Sequence, residues 1–306
     1  MQRDVFFVTL PGALALDLTG PAETLRLSGQ FRLHYISPLQ EVELTTGLVV
    51  SRLKPLPDDM PDGSILVVPG VSNSQTQFDT PPAQAVRDWL KTQKTAIEGA
   101  RLQLVCICSG SLLAGMAGLL DGYQCTSHHE VIPRLRQQVP AALVKDNRIF
   151  VEDRSILTSA GITAGIDLAL YLITRHHGPQ AALDVAREMV VYFRRGGEDP
   201  QLSPWLQHRN HLHPAIHRAQ NVISADPESA WQVEDIAAKA HISSRHLTRL
   251  FRQYLGISVR DYHEQLRIAV ARQRMQQGFG LEKAALAAGF SSGRQLRRAL
   301  QRWQQS

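Results

Sequence analysis

The stretch that decides the fold of the first part of the chain is LQLVCICSGSLLAGMAGLLDG, residues 102–122. Its apolar run Leu102–Ile107 is too short for an independent helix and is typical of a strand covered on both faces, as in a parallel sheet. Cys108 and the small residues after it permit a sharp turn, and a helix is predicted over 112–120. The sequence therefore predicts a strand, a tight turn at Cys108 and a helix.

A cysteine at this turn is placed where chemistry or ligand contact can occur. The first turn of a helix carries a partial positive charge, which favours the thiolate form of a thiol beside it. Cys108 is therefore a candidate nucleophile and also a candidate ligand contact. The stretch itself does not decide between the two.

Short apolar runs alternate with helix-like segments over the first half of the chain, which predicts an α/β domain with a mostly parallel sheet. Strands are predicted at 4–10, 31–37, 64–69, 102–107, 148–152 and 155–158, a hairpin-like pair at 42–53, and helices at 82–93 and 164–175. Ligands of such sheets bind at the carboxyl ends of the strands. We therefore expect the loop after Leu10, the turn at Gly70 and Cys108 to meet there.

Length and composition argue against several classes of protein. A chain of 306 residues with 43% hydrophobic residues is long enough for two domains. No apolar run approaches the ~20 residues of a membrane span, and the first residues lack the apolar stretch of a signal peptide. The cysteines Cys106, Cys108 and Cys125 suggest no disulfide framework. We expect a soluble cytoplasmic protein with no membrane partner.

The net charge of +5 is unevenly distributed along the chain. Residues 216–306 contain 14 Lys and Arg against 7 Asp and Glu, whereas residues 1–215 contain 19 against 21. The basic charge therefore belongs to the C-terminal segment. Such asymmetry indicates nucleic-acid binding by that segment and a different task for the rest.

The C-terminal segment has the pattern of two helix-turn-helix motifs. In VEDIAAKAHISSRHLTRLFRQYL, residues 233–255, one helix turns Ile236 and Ala237 inward, and a second helix follows the N-cap Ser243. The pattern recurs 48–49 residues later, beginning with LEKAALAAGFSS at 281–292. Two such motifs can reach two successive major-groove faces, about 34 Å apart along the duplex.

This segment, from about residue 216 to 303, resembles the DNA-binding domain of the AraC/XylS family. The resemblance rests on Trp231, on IAAKAHISSRHLTRLFRQYLGIS and on AALAAGFSSGRQLRRAL in the second motif. In that family, exposed residues of both recognition helices contact the bases of promoter DNA. By position, the resemblance implies that role for Arg245, Thr248, Arg249, Arg294, Gln295, Arg297 and Arg298.

The first part, about residues 4–187, resembles the PfpI-like branch of the class I glutamine amidotransferase-like superfamily. The motifs are LDLTGPAE at 16–23, ILVVPGV at 65–71, CICSGSLLAGMAGLLDG at 106–122, TSHH at 126–129 and LTSAGITAGIDLAL at 157–170. Both domains together resemble the GlxA family of transcriptional regulators. The resemblance implies an α/β, flavodoxin-like doubly wound parallel sheet with a cysteine elbow, followed by an all-α domain of two tandem helix-turn-helix units.

A change of composition separates the two domains. Residues 191–215 contain a Gly-Gly pair and three prolines, so we predict a ligand-sensing domain at 1–190, a linker at 191–215 and a DNA-binding domain at 216–306. Four histidines in and after this linker lack cysteine or carboxylate partners at a recognised metal spacing. We therefore expect no metal and no cofactor at His208, His211, His213 and His217.

Two functions follow from the sequence and the resemblance. The first is a transcription regulator that binds promoter DNA and senses a small metabolite. The resemblance implies that this metabolite is an amine, an amino acid or a related nitrogen compound, and that the protein is a homodimer through its N-terminal domain. It has no catalytic residue, and its predicted ligand contacts are Asp17, Gly70, Val71, Cys108, Ser109 and His128. The alternative is a cysteine-dependent hydrolase or glyoxal-handling lyase, with Cys108 as nucleophile, Asp17 as the first-loop acid and His128 or its neighbour His129 as base.

Overall fold

The computed structural model describes residues 2–191, 195–199, 201, 208, 211 and 213–304. The chain divides into two compact units, residues 1–201 and 202–306, so the division falls inside the predicted linker. About half of that predicted linker, 191–215, lies outside the described residues. Within the described part of the chain, no helix is both long enough and apolar enough to cross a membrane.

The first unit is an α/β layer structure. Its strands are β1 Arg3–Val8, β2 Phe31–Ile36, β3 Glu41–Glu43, β4 Val49–Ser51, β5 Ser64–Val68, β6 Leu102–Ile107, β7 Gln124–Cys125, β8 Leu143–Val144, β9 Phe150–Asp153 and β10 Ile156–Ser159. Its helices are α1 Ala15–Leu27, α2 Ser74–Gln77, α3 Pro81–Thr92, α4 Lys94–Glu98, α5 Gly110–Met116, α6 Ile132–Gln138 and α7 Ala164–Glu188.

Six of these strands form one sheet in the order β2-β1-β5-β6-β10-β9. Neighbouring strands are parallel except for β9, which pairs with β10 in the antiparallel sense and forms one edge. Apart from that edge, the order is that of a flavodoxin-like doubly wound sheet. The predicted fold class is therefore confirmed. The two central strands β5 and β6 are almost wholly buried because helices cover both faces of a parallel sheet.

Two predicted helices have different bounds in the structure. The helix after Cys108 begins at Gly110 and ends at Met116, because Gly118, two residues later, adopts a positive φ of 75° outside the helical conformation. The helix predicted at 164–175 runs on to Glu188, with a kink at Gly178, where φ is 86° and the following residue is proline. Gly118 therefore ends the first helix, whereas Gly178 and Pro179 bend the second helix without ending it.

The second unit is all-α in its described part. Its helices are α8 Pro214–Ala225, α9 Val233–Lys239, α10 Ser244–Leu255, α11 Val259–Gln276, α12 Leu281–Ala287 and α13 Gly293–Gln304. The pairs α9–α10 and α12–α13 are the two predicted helix-turn-helix motifs, joined by the long helix α11.

Each motif has its own apolar core. In the first, Ile236, Leu247 and Phe251 are buried, and in the second, Ala288 and Leu296 are buried. The Ser243 hydroxyl accepts a hydrogen bond from the His246 backbone N–H and caps α10, as the sequence predicts. The duplicated pattern thus gives two separately packed motifs.

Candidate functional site

The thiol predicted to organise the site lies on a strained turn at the carboxyl end of β6. Cys108 adopts a positive φ of 55°, which is uncommon for a residue with a side chain. Two glycines make this turn possible. A Cβ atom at Gly161 would lie 2.2 Å from Cys108 Cβ, and one at Gly70 would lie 2.7 Å from it. The loops after β5, β6 and β10 therefore meet at Cys108, which is only 5% exposed.

The second predicted residue, Asp17, lies beside this turn on α1 and is fully buried. Its Oδ1 accepts a 2.5 Å hydrogen bond from the backbone N–H of Ile162, and a Cβ atom at Gly70 would lie 2.6 Å from its Oδ2. Among the described residues, Oδ2 has no hydrogen-bond partner. Burial raises the pKa of Asp17 to about 6, although the Ile162 N–H, the Gly70 backbone and the Cys108 thiol nearby oppose that rise. The structure thus brings together Asp17, Gly70 and Cys108, as the sequence predicts.

The ionisation of Cys108 differs from the sequence-based expectation. Burial raises the pKa of the Cys108 thiol well above its usual range, and the negative charge of Asp17 raises it further. The expected helix-dipole effect is outweighed, because α5 has only seven residues and the thiol has lost almost all of its contact with water. At neutral pH the Cys108 side chain is a neutral thiol.

Ser109 and Val71 connect the turn at Cys108 to the loop after β5 by two hydrogen bonds. The Ser109 hydroxyl accepts a hydrogen bond from the Val71 N–H at 2.9 Å and donates one to the Val71 carbonyl at 3.1 Å. Both residues are buried. The Ser109 hydroxyl therefore holds the loop that carries Gly70, and a ligand contact of Ser109 stays a prediction.

His128 is half-buried and packs against His129, with 4.3 Å between the ring centroids and the rings tilted by 33°. Burial and the neighbouring His129 lower its pKa, so the imidazole is neutral at pH 7. The contact with the elbow comes instead from Ser127, whose hydroxyl donates a 2.8 Å hydrogen bond to the Cys108 carbonyl. A ligand role for His128 stays a prediction.

Three residues at this site, Gly161, Ile162 and Ser127, were missed as site residues. The motifs TSAGITAG and TSHH contain all three residues, so the sequence signal that could have identified them is their place in these two motifs. Ile162 is a β-branched residue with a φ of 52°, a strained conformation that nothing in the sequence signals. That conformation turns its N–H towards Asp17.

The raised pKa of Asp17 predicts a pH-dependent stability. A carboxyl group with a higher pKa in the folded than in the unfolded chain binds its proton more tightly when the chain is folded. The free energy of unfolding therefore falls as the pH rises from 3.8 to about 6, and it stays lower above that pH. We expect Asp17→Asn, which keeps the Oδ1 acceptor, to gain roughly 2–3 kcal/mol relative to wild type between pH 4 and pH 7.5.

Urea unfolding of both proteins at several pH values measures this difference. Asp79→Asn, a change at an exposed carboxylate, is the matched control and should follow the wild-type curve. Parallel curves for Asp17→Asn and wild type would contradict a raised pKa at Asp17.

The second candidate site is the pair of recognition helices α10 and α13. All seven predicted DNA contacts are exposed in the structure, on Arg245, Thr248, Arg249, Arg294, Gln295, Arg297 and Arg298. In the first motif, Arg245, Thr248 and Arg249 line a groove of about 1000 Å³, to which Arg252 and Arg260 also contribute. The arginine side chains of this groove suit the phosphates and base edges of a duplex.

Two of these side chains already have local partners. The Gln295 Oε1 accepts hydrogen bonds from the N–H and hydroxyl of Ser291, and the Thr248 hydroxyl donates to the Ser244 carbonyl. Gln295 therefore presents mainly its N–H₂ group outward. Arg302, which follows the predicted contacts on α13, pairs with Glu264 of α11.

The linker histidines show no metal-binding arrangement. No cluster of three or more His, Cys, Asp or Glu that could hold a metal ion occurs in the part of the chain that the structure describes. His208 is within hydrogen-bond distance of Gln265 and His211 of Gln220, at 3.2 and 3.1 Å. Both histidines therefore make polar contacts with residues of the second unit.

The fold and the site define a two-domain class of protein, in which a flavodoxin-like α/β unit with a cysteine elbow precedes a tandem helix-turn-helix unit. The sequence profile of the DJ-1/PfpI family matches residues 3–175, more than half of the chain, and that of the helix-turn-helix domain matches residues 236–305. The chain belongs to the DJ-1/PfpI family. Both resemblances drawn from the motifs are confirmed.

Three curated relatives share parts of the chain. The HTH-type transcriptional regulator GbdR of Pseudomonas aeruginosa is 34% identical over 202 residues, 65% of this chain and 54% of GbdR. The HTH-type transcriptional regulator CdhR of the same organism is 29% identical over 300 residues, 95% of this chain and 86% of CdhR. The isonitrile hydratase of Pseudomonas putida is 33% identical over 178 residues, 56% of this chain and 71% of the hydratase. The chain matches about half the length of the first of these relatives.

Proposed function

We propose that this chain is a DNA-binding transcription regulator whose second unit binds promoter DNA and whose first unit senses a small metabolite. The observation that carries the proposal is the pair of helix-turn-helix motifs with exposed basic recognition helices. The similarity to GbdR and CdhR, two relatives named as transcriptional regulators, supports it. Such a protein acts in the cytoplasm, where promoter DNA is located.

The sensing part of the proposal rests on the elbow. Asp17 and Cys108 form a small polar group in a buried, pre-formed setting at the carboxyl ends of the parallel strands, where ligands of such sheets bind. Gly70, Val71, Ser109 and His128 complete the proposed contacts. The buried carboxylate of Asp17 suits an effector with an N–H donor, such as an amine, an amino acid or a related nitrogen compound.

We also propose that the protein acts as a homodimer, because two copies of a DNA-binding unit match a two-fold symmetric operator. Dimerisation through the first unit is tested by sedimentation of the full chain. A monomer at micromolar concentration would contradict this part.

Selection from a random pool of duplexes tests the DNA part. The full chain should enrich a defined sequence, and that duplex should bind at least a thousand times more tightly than random DNA, as specific regulators do. A screen of small metabolites by thermal shift then tests the sensing part, because a ligand that binds the folded state stabilises it. Failure to enrich any sequence would overturn the DNA-binding function.

An enzyme is the second candidate, and two observations favour it: the strained elbow of Cys108 beside Asp17, and the similarity to an isonitrile hydratase. The high pKa of the thiol argues against it, since thiolate is the reactive form. We propose that Cys108 does not catalyse a reaction.

Cys108→Ala separates the two functions. For a sensor, we expect the variant to bind its selected duplex with wild-type affinity and to keep a response to effector, weakened by the lost thiol contact. For an enzyme, wild type should consume an isonitrile and the variant should not. Measured turnover that disappears in Cys108→Ala would overturn the sensor proposal.

A further inference from the structure

The first unit contains a cavity of about 600 Å³ that is separate from the elbow. It is formed by the edge strand β9, by Tyr171 of α7 and by residues 196–198. None of the proposed elbow contacts lines it. Its volume is within the range that binds small metabolites.

The lining of this cavity includes two aromatic rings and the backbone of a glycine segment. The rings of Phe150 and Tyr171 pack with their centroids 4.9 Å apart. Gly197 approaches Phe150 so closely that a Cβ atom at Gly197 would lie 2.7 Å from the Phe150 carbonyl oxygen. The Ile149 N–H donates a hydrogen bond to the Gly197 carbonyl at 3.1 Å. The glycine segment is therefore part of the wall of the cavity.

Ion pairs hold the segment before Gly196 in place. The Arg195 guanidinium contacts the Asp167 carboxylate at 2.6 and 2.9 Å and the Thr163 hydroxyl at 2.8 Å. The segment 195–199 is thus attached to the start of α7 on one side and to β9 on the other. In the sequence it immediately precedes the boundary of the first unit at residue 201.

The charges of the cavity are only partly paired. Arg148 is neutralised by Glu198, with 3.0 Å between Nε and Oε2. Lys145 has no ion pair within the described part of the chain. The cavity therefore offers an ammonium group that lacks an anionic partner.

Glu152 offers the complementary group. Its Oε2 accepts a short hydrogen bond from the Tyr171 hydroxyl, which stays protonated because burial and Glu152 raise the pKa of Tyr171 to about 12. Its Oε1 is buried and lies 3.3 Å from Arg175 Nη2, but no described group gives it an aligned hydrogen bond. A buried carboxylate oxygen in this situation favours an added N–H donor.

We propose that this cavity is a second ligand site, for a small zwitterion of the amino-acid type. Lys145 pairs with the carboxylate of the ligand, Glu152 Oε1 accepts from its ammonium group, and its body packs on Phe150 and Tyr171. The occupant also touches Gly196 and Gly197, so binding acts directly on the segment that leads out of the first unit. The inference is independent of the elbow and of DNA binding.

Thermal shift and calorimetric titration of the full chain test the site directly. The probes are L-alanine, L-leucine and L-phenylalanine, each compared with the amine that lacks its carboxylate and the acid that lacks its ammonium group. We expect at least one of the amino acids to raise the melting temperature by about 2–4 °C at tenfold excess over its Kd, and to bind more tightly than both truncated probes.

The variants assign the two ends of the ligand. Lys145→Gln should weaken binding of the amino acid about fivefold to tenfold and leave binding of the amine unchanged. Glu152→Gln should also weaken binding of the amino acid about fivefold to tenfold, and should leave binding of the acid unchanged. Lys54→Gln, an exposed lysine near the opposite edge of the sheet, is the matched control and should bind as wild type.

Three outcomes would overturn the second site. The first is that none of the three amino acids binds. The second is that Lys145→Gln binds the amino acid and the amine as wild type does. The third is that binding survives Lys145→Gln and disappears in Asp17→Asn, since the ligand would then occupy the elbow.

Discussion

Gly161→Ala is expected to destabilise the first unit by about 2–5 kcal/mol, the largest effect of any single change proposed for this fold. A Cβ atom at position 161 would lie 2.2 Å from Cys108 Cβ, 2.8 Å from its Cα and 2.8 Å from its Sγ. None of these atoms can move far, because Cys108 is itself held in a strained turn. Overpacking of a core costs about 1–3 kcal/mol, and a positive φ for alanine costs a further 1–2 kcal/mol.

Gly29→Ala separates these two contributions. Gly29 has a φ of 67° and no atom within 4 Å of the position of a Cβ atom. Its replacement by alanine should therefore cost only the backbone strain, about 1–2 kcal/mol. Urea unfolding of both variants measures the difference. Equal losses for the two variants would show that the close approach of the loops at Cys108 does not contribute to stability.

Arg249→Ala and Arg298→Ala are each expected to weaken binding to the selected duplex by about 1–3 kcal/mol. The two arginines occupy equivalent positions in α10 and α13 and both are exposed. Because they belong to separately packed motifs, the two losses should add in the double variant to within about 0.5 kcal/mol. Additive losses would indicate that both motifs bind the same duplex.

Fluorescence anisotropy with the selected duplex and with a scrambled duplex measures these effects. Arg274→Ala is the matched control, because Arg274 is exposed on α11 and does not belong to a recognition helix. We expect it to change the affinity for both duplexes slightly and equally. Wild-type affinity in either recognition-helix variant would contradict the assignment of that helix.

The cavity beside β9 extends the possible inputs to such a regulator. Asp17 and Cys108 at the elbow are buried, whereas the cavity beside β9 includes the glycine segment before the unit boundary. A ligand that binds one conformation of this segment more tightly than another shifts its population towards that conformation. With two ligand sites in one unit, a single regulator would respond to two metabolites.

Several parts of the molecule were determined by the sequence alone. Strand β6, the turn at Cys108, the alternation that gives a parallel sheet and the duplicated helix-turn-helix motif depend on local periodicity, on small residues at turns and on the position of charges. These features act over a few residues, so a single sequence contains them. The exposed faces of α10 and α13 follow from helical period and are confirmed as exposed.

Only the tertiary structure decided the chemistry of the elbow. The hydrogen bond from Ile162 to Asp17 joins residues 145 positions apart, and Gly161 approaches Cys108 only because β6 and β10 are neighbours in the sheet. The sequence pattern predicts a thiolate, but burial makes Cys108 a neutral thiol and commits the Ser109 hydroxyl to Val71. Desolvation and long-range approach depend on the whole packed unit, whereas periodicity and turn chemistry are local properties of the chain.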